Sequence, residues 1–124
     1  MKLSNAETRI LEQFWILGAC SVREILESLP DDERVAYTTV QTLVSRLEEK
    51  GALRRVRKIG NAHVFAPAVD RAEYRRRIVR DLLDLFGGSP SGLVSSLLET
   101  GTLTLKDLKK LQNEASKSRR KTRG

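Results

Sequence analysis

Apolar residues recur every three to four positions through the first thirty residues, which predicts two short helices. The first would begin at a Ser-x-x-Glu capping box at residues 4–7 and end near Leu17, just before Gly18. The second would begin at the same pattern at residues 21–24 and stop at Pro30, because proline cannot continue a helix. Both helices are therefore bounded by residues that favour helix ends.

A third helix is predicted from about Thr38, which with Gln41 can cap its start, to Lys50. A rotation of about 100° per residue turns Val40 and Leu47 inward. The opposite face is small and polar with one cation, and it consists of Thr38, Thr39, Gln41, Thr42, Ser45 and Arg46. Such side chains let a helix approach base edges in the major groove of DNA, and threonine also offers thymine a methyl group. An ordinary solvated helix face would have the same composition, so both interpretations stand at this point.

The residues after the third helix show the pattern of a β-hairpin. Residues 53–59 mix β-branched and basic side chains, Gly60-Asn61 supplies a turn, and residues 62–66 return as a second strand. Three short helices followed by a hairpin is the order of a winged helix-turn-helix domain, in which the hairpin is called the wing. We assign this domain to residues 1–69.

The predicted wing is strongly basic, since Arg54, Arg55, Arg57 and Lys58 are uninterrupted by an acid. Simple alternation along a strand would place Arg55 and Arg57 on one side and the other two cations on the opposite side. Contacts from Arg55, Arg57, Lys58 and the turn residue Asn61 to the phosphate backbone are predicted, because such contacts position a protein on a duplex without specifying sequence.

Three further amphipathic helices are predicted within residues 70–116, beginning at Asp70, Ser89 and Thr104. About forty helical residues cannot enclose a substantial core alone, so a second copy of the chain is the simplest source of the missing surface. The predicted dimer interface comprises Tyr74, Ile78, Leu82, Leu85, Leu93, Leu97, Leu105 and Leu108. Residues 117–124 carry five cations and no acid, which predicts a disordered basic tail.

The predicted fold is thus mainly α, with an N-terminal winged helix-turn-helix domain and a C-terminal helical dimerisation module. The net charge of +7 favours a polyanionic partner, and residues 36–69 contribute six Lys or Arg against two acids.

A single cysteine, Cys20, and a single histidine, His63, argue against a catalytic centre, a metal site or a cofactor. We interpret Cys20 as a small buried residue and His63 as structural. With neither a membrane span nor a secretion signal in the pattern, we expect a cytoplasmic protein.

Two blocks of sequence resemble the penicillinase repressor family of BlaI and MecI. The first runs from Ala36 to Gly51 and begins Ala-Tyr-Thr-Thr-Val-Gln-Thr-Leu, and the second, at residues 62–67, reads Ala-His-Val-Phe-Ala-Pro. The family's first, second and last helices are similar to residues 7–15, 21–24 and 103–111, so the resemblance covers nearly the whole chain. It implies a homodimeric transcriptional repressor that occupies a palindromic operator on double-stranded DNA near a promoter.

Two departures limit what this resemblance implies. The β-lactam-responsive members are cleaved at an Asn-Phe pair in the fifth helix when a membrane sensor protease is triggered, and Ser96-Leu97 stands there in this chain. Release by a sensor protease is therefore left open. The copper-responsive members carry paired cysteines near the C terminus, which this chain lacks. The alternatives are a ligand-sensing winged helix regulator, for which the few aromatic residues offer no obvious pocket, and a module that binds only other proteins.

Overall fold

A computed structural model describes residues 1–123, with side chains for residues 1–118. The chain divides into two compact units, Met1–Arg75 and Arg76–Gly124. The elements, in chain order, are α1 (Asn5–Leu17), β1 (Cys20–Ser21), α2 (Val22–Ser28), a 3-10 turn (Asp31–Glu33), α3 (Tyr37–Glu49), β2 (Leu53–Ile59), β3 (Ala62–Pro67), α4 (Arg71–Leu85), α5 (Pro90–Glu99) and α6 (Leu105–Arg123).

Both predicted capping boxes are confirmed. The Ser4 hydroxyl accepts a hydrogen bond from the Glu7 amide at 3.1 Å, and the Glu7 carboxylate accepts one from the Ser4 amide at 3.0 Å. Ser21 and Glu24 repeat this exchange at the start of α2, at 3.2 and 3.0 Å. These reciprocal bonds satisfy amides that a helix start otherwise leaves unpaired.

The predicted cap of the third helix is wrong. The cap position of α3 is held by Ala36, whose side chain makes no capping hydrogen bond. Thr38 and Gln41 lie one residue or more inside the helix with exposed side chains. A capping side chain must sit at the residue before the first helical one, so neither residue can serve.

A three-stranded antiparallel sheet in the order β1-β3-β2 closes the first unit. The predicted hairpin is present, with Gly60 at a φ of +60°, a conformation that glycine adopts without strain. The short strand β1 was not predicted, and it pairs Cys20 with Phe65 and Ser21 with Val64. Two residues are too few for an alternating pattern to show.

The pairing of β2 with β3 is irregular at Val56, and this changes which cations share a side. Arg55 lies opposite Phe65, but Arg57 lies opposite the next residue, Val64, so Val56 is an extra residue in β2. An extra residue interrupts the alternation of side chains along a strand. The prediction that Arg55 and Arg57 share a side is therefore wrong, and the register instead groups Arg55 with Lys58.

The core of the first unit lies between the three helices and the sheet. Its fully buried large side chains come from all three helices and comprise Leu11, Phe14, Ile25, Val40, Val44 and Leu47. Cys20 is buried as predicted, and this burial, with a contribution from Glu24, raises the pKa of its thiol to about 11. The thiol is therefore protonated at neutral pH and behaves as a small apolar group.

The chain entering α4 is fastened to α1 by aromatic contacts. The Trp15 indole donates a hydrogen bond to the Val69 carbonyl at 3.1 Å, and its ring lies 5.6 Å from that of Tyr74. The Tyr74 hydroxyl is 3.3 Å from the Thr8 hydroxyl. Tyr74, predicted as a dimer residue, is instead only 7% exposed and already covered within the first unit. The first turn of α4 thus completes this unit.

One ion pair with a buried partner joins α1 to the end of α3. The side chain of Glu7 is 4% exposed, and its Oε1 lies 2.8 Å from Lys50 Nζ. Lys50 Nζ also donates to the Lys2 carbonyl at 3.0 Å. The pKa of Glu7 is lowered from 4.5 to about 2, chiefly by the hydrogen bond from Lys50 and further by Ser4, and desolvation opposes part of that shift.

In the second unit, no large apolar side chain among residues 76–118 is fully buried. Predicted dimer residues on α4 and α6 are exposed: Ile78, Leu82, Leu85 and Leu105. Those on α5, with one on α6, are partly buried: Leu93, Leu97 and Leu108. Three amphipathic helices of one chain therefore leave much of their apolar surface uncovered.

The predicted disordered tail differs from the structure at its start. Helix α6 continues through Lys117 and Ser118, because lysine and serine do not interrupt a helix as proline or glycine would. Side chains from residue 119 onward lie outside the described part of the chain. Among the described helices, none has the length and apolar content needed to cross a membrane.

Candidate DNA-binding surface

The outward face of α3 is held in place by its buried side. Val40, Val44 and Leu47 are at most 1% exposed and anchor the helix to the core. All six predicted DNA-contact residues of the helix are exposed: Thr38, Thr39, Gln41, Thr42, Ser45 and Arg46. The hydroxyl of Thr42 donates to the Thr38 carbonyl at 2.9 Å. Its methyl group and the two lone pairs of its hydroxyl oxygen therefore remain for a partner.

The N-terminus of α3 is suited to an anion. Ala36 provides no cap, and the first turn contains no acidic residue. Within the described part of the chain, the amides of Tyr37 and Thr38 donate to no acceptor. Unpaired amides at the positive end of a helix dipole attract phosphate groups.

The outer part of the wing presents cations without partners. Arg57 and Lys58 are exposed and, among the described side chains, form no ion pair. Asn61 at the turn is also exposed. Unpaired cations beside a turn can reach a phosphate backbone without first breaking an internal bond.

Arg55, predicted as a phosphate contact, is engaged within the protein. Its Nε donates to Glu48 Oε2 at 2.8 Å, and one of its terminal nitrogens lies 3.3 Å from His63 Nε2. The guanidinium carbon stands 5.7 Å from the centre of the Phe65 ring. These contacts give His63 the structural, hydrogen-bonded environment that was predicted for it.

A groove of about 260 Å³ is bounded by the first turn of α2, by α3 and by the wing. It brings four predicted contact residues together with two that sequence reasoning missed, Arg23 and Tyr37; the four are Gln41, Ser45, Arg55 and Asn61. The Arg23 guanidinium lies 5.5 Å from the centre of the Tyr37 ring, within the range of a cation–π contact. The position of Arg23 in the first turn of α2, where a helix-turn-helix unit approaches DNA, was the signal that could have found it.

Comparison with known proteins identifies what this surface belongs to. A sequence profile described as penicillinase repressor matches residues 3–117. The chain belongs to the penicillinase repressor family. The penicillinase repressor of Bacillus licheniformis is 27% identical over 97% of this chain and 95% of its own length. The methicillin resistance regulatory protein MecI of Staphylococcus aureus strain N315 is 21% identical over 94% of each chain.

A solved structure supports the same conclusion for the first unit. The solution structure of the DNA-binding domain of the repressor BlaI is 29% identical, with a TM-score of 0.52, over 59% of this chain and 88% of that domain. The predicted winged helix fold and the predicted family resemblance are both confirmed. The protein is a DNA-binding transcriptional repressor and not an enzyme.

Proposed function

We propose that this repressor acts as a homodimer on a palindromic operator, with α3 in the major groove and the wing on the phosphate backbone. The observation that carries the proposal is the exposed polar face of α3 beside a wing whose outer cations, Arg57 and Lys58, form no ion pair with any described side chain. The helix supplies base contacts, and the wing and the amides at the start of α3 supply phosphate contacts. A repressor that binds DNA operators would work in the cytoplasm.

The second unit supports the dimer. Ile78, Leu82 and Leu85 follow one another at spacings of four and three along α4, so they share a face, and all three are exposed. Exposed apolar stripes of this kind mark an interface. A two-fold dimer would pair identical faces and present two copies of α3 to the two halves of a palindrome.

The sequence-reading role of α3 predicts a loss of discrimination in two variants. Thr42→Ala and Arg46→Ala should each reduce the difference in binding free energy between operator and scrambled duplex by about 1 to 3 kcal/mol per half-site, because each removes one base contact from each protomer. Both affinities are measured by fluorescence anisotropy at fixed salt, on an operator first located by footprinting upstream of the gene. Neither side chain lies in the core, so thermal unfolding should be unchanged.

Arg9→Ala is the matched control, because Arg9 is an exposed cation of the same unit that pairs with Glu33 and lies on α1. It should leave this difference in binding free energy unchanged. Wild-type discrimination in both Thr42→Ala and Arg46→Ala would mean that another face of α3 enters the groove.

The backbone role of the wing predicts a change in salt dependence. Arg57→Ala and Lys58→Ala should each weaken binding to operator and to scrambled duplex to a similar extent. Each should also flatten the slope of log affinity against log salt by roughly one unit per lost phosphate contact, or about two units for a dimer that loses one contact in each protomer. The measurement is a salt titration from about 50 to 200 mM. An unchanged slope in both variants would place the wing away from the phosphates.

A further inference from the structure

We infer that Arg55 is a positioning residue that joins the end of α3 to the wing, and not a contact to DNA. The inference rests on the proposed docking of α3 and the wing. It assigns different tasks to neighbouring cations of one strand: Arg57 and Lys58 meet phosphate, and Arg55 holds the two DNA-binding elements together.

The geometry ties one guanidinium to two elements. Glu48 lies in the last turn of α3, and its Oε2 accepts a hydrogen bond from Arg55 Nε at 2.8 Å. His63, 3.3 Å from a terminal nitrogen of Arg55, and Phe65, beneath its guanidinium plane at 5.7 Å, lie on β3. A planar guanidinium with five donors can hold a carboxylate, a ring nitrogen and an aromatic face at once, which an ammonium group cannot.

The electrostatics separate Arg55 from the other wing cations. The Glu48 carboxylate neutralises its charge, and an arginine that moved to a phosphate would leave that carboxylate unpaired beside a polyanion. The irregular register places Arg57 on the opposite side of the hairpin from Arg55, whereas Lys58 shares a side with Arg55 and differs from it in position along the strand. Arg55 lies opposite Phe65 near the base of the wing, whereas Lys58 lies opposite His63 nearer the turn.

A phosphate contact by Arg55 and a positioning role of Arg55 predict opposite changes in DNA binding when Glu48 is made neutral. If Arg55 contacts phosphate, Glu48→Gln frees its guanidinium, and binding tightens through one more phosphate contact. If Arg55 positions α3 against the wing, Glu48→Gln loosens that connection, and discrimination falls. Glu49→Gln is the matched control, since Glu49 is the adjacent exposed acid and forms no ion pair among the described side chains.

The experiment uses the full chain and measures affinity for operator and scrambled duplex at several salt concentrations. Arg55→Ala, Arg55→Lys and Glu48→Gln should each lower the operator-to-scrambled ratio about two- to fivefold, the range that an exposed ion pair supports. Arg55→Ala combined with Glu48→Gln should lower it no further than either change alone, because the two side chains act as one unit. The salt slope of Arg55→Ala should match that of the unaltered protein.

Two results would overturn the inference. One is a salt slope that Arg55→Ala flattens by roughly one unit per protomer and that Arg55→Lys restores, and the other is an equal operator-to-scrambled ratio in Glu48→Gln and Glu49→Gln. Arg57→Ala is measured in parallel. If the salt slope of Arg57→Ala flattens as expected and the Arg55 variants give either overturning result, only the inference about Arg55 is wrong. If Arg57→Ala and Lys58→Ala both keep the original slope, the proposed docking of the wing is wrong, and the inference falls with it.

Discussion

Replacing Leu82 by aspartate is expected to abolish the proposed homodimer and leave a monomer. Leu82 is 40% exposed in the single chain and lies between Ile78 and Leu85 on the apolar stripe of α4. In a dimer that covers this stripe, the aspartate would bury an unpaired charge, at a cost of about 3 to 5 kcal/mol per site. A penalty of this size weakens association by about a hundredfold or more.

Sedimentation at micromolar concentration measures the association, and operator binding should fall with it because two linked copies of α3 are needed to occupy both half-sites. Ile16→Asp is the matched control: Ile16 is an apolar residue of α1, in the first unit, and is 65% exposed. It should leave the dimer intact. A stable monomer of the unaltered protein at this concentration would refute the proposed dimer.

Replacing Lys50 by methionine is expected to lower the free energy of unfolding by about 3 kcal/mol at neutral pH. The buried Glu7 carboxylate would lose its cation, and its Oε2 already lacks a hydrogen-bond partner in the described structure. The pKa of Glu7 is lowered from 4.5 to about 2 by several contacts, of which the hydrogen bond from Lys50 is the largest. This net lowering corresponds to about 3 kcal/mol, since one pKa unit is worth about 1.4 kcal/mol, and it sets the order of magnitude of the expected loss. Urea unfolding at pH 7 measures the change.

The same pair predicts how stability responds to acid. Because the pKa of Glu7 is lowered in the folded state, its stabilisation is fully present above pH 4.5 and is lost as the pH falls from 4.5 towards 2. Glu7→Gln should remove this part of the acid dependence. Glu33→Gln, which breaks the exposed pair with Arg9, is the control and should cost less than about 1 kcal/mol. Equal losses in Lys50→Met and Glu33→Gln would contradict the buried character of the Glu7 pair.

Local patterns in the sequence were sufficient for most of the winged helix. The capping boxes at residues 4–7 and 21–24 are recognisable because both partners lie within three residues of each other. The turn at Gly60-Asn61 and the inward side of α3 follow equally from short-range geometry. The exposed polar face of α3 was predicted for the same reason, since the side that packs against the core leaves the other side outward.

Contacts between distant residues were decided only by the tertiary structure. Tyr74 looked like part of an apolar stripe, and its burial depends on Thr8, which is 66 residues away in sequence. The extra residue Val56 shows in no local pattern, because it exists only relative to β3, yet it decides which wing cations share a side. The internal contacts of Arg55 likewise depend on tertiary structure, because they bring Glu48 of α3 and His63 of β3 to one guanidinium. The sequence by itself determined the three helices and the hairpin of the winged helix and which helix faces are apolar, because these follow from neighbouring residues, whereas strand β1 depends on its pairing with β3. The packing of those elements decided which charges remain free for DNA, because pairing depends on distance in space and not along the chain.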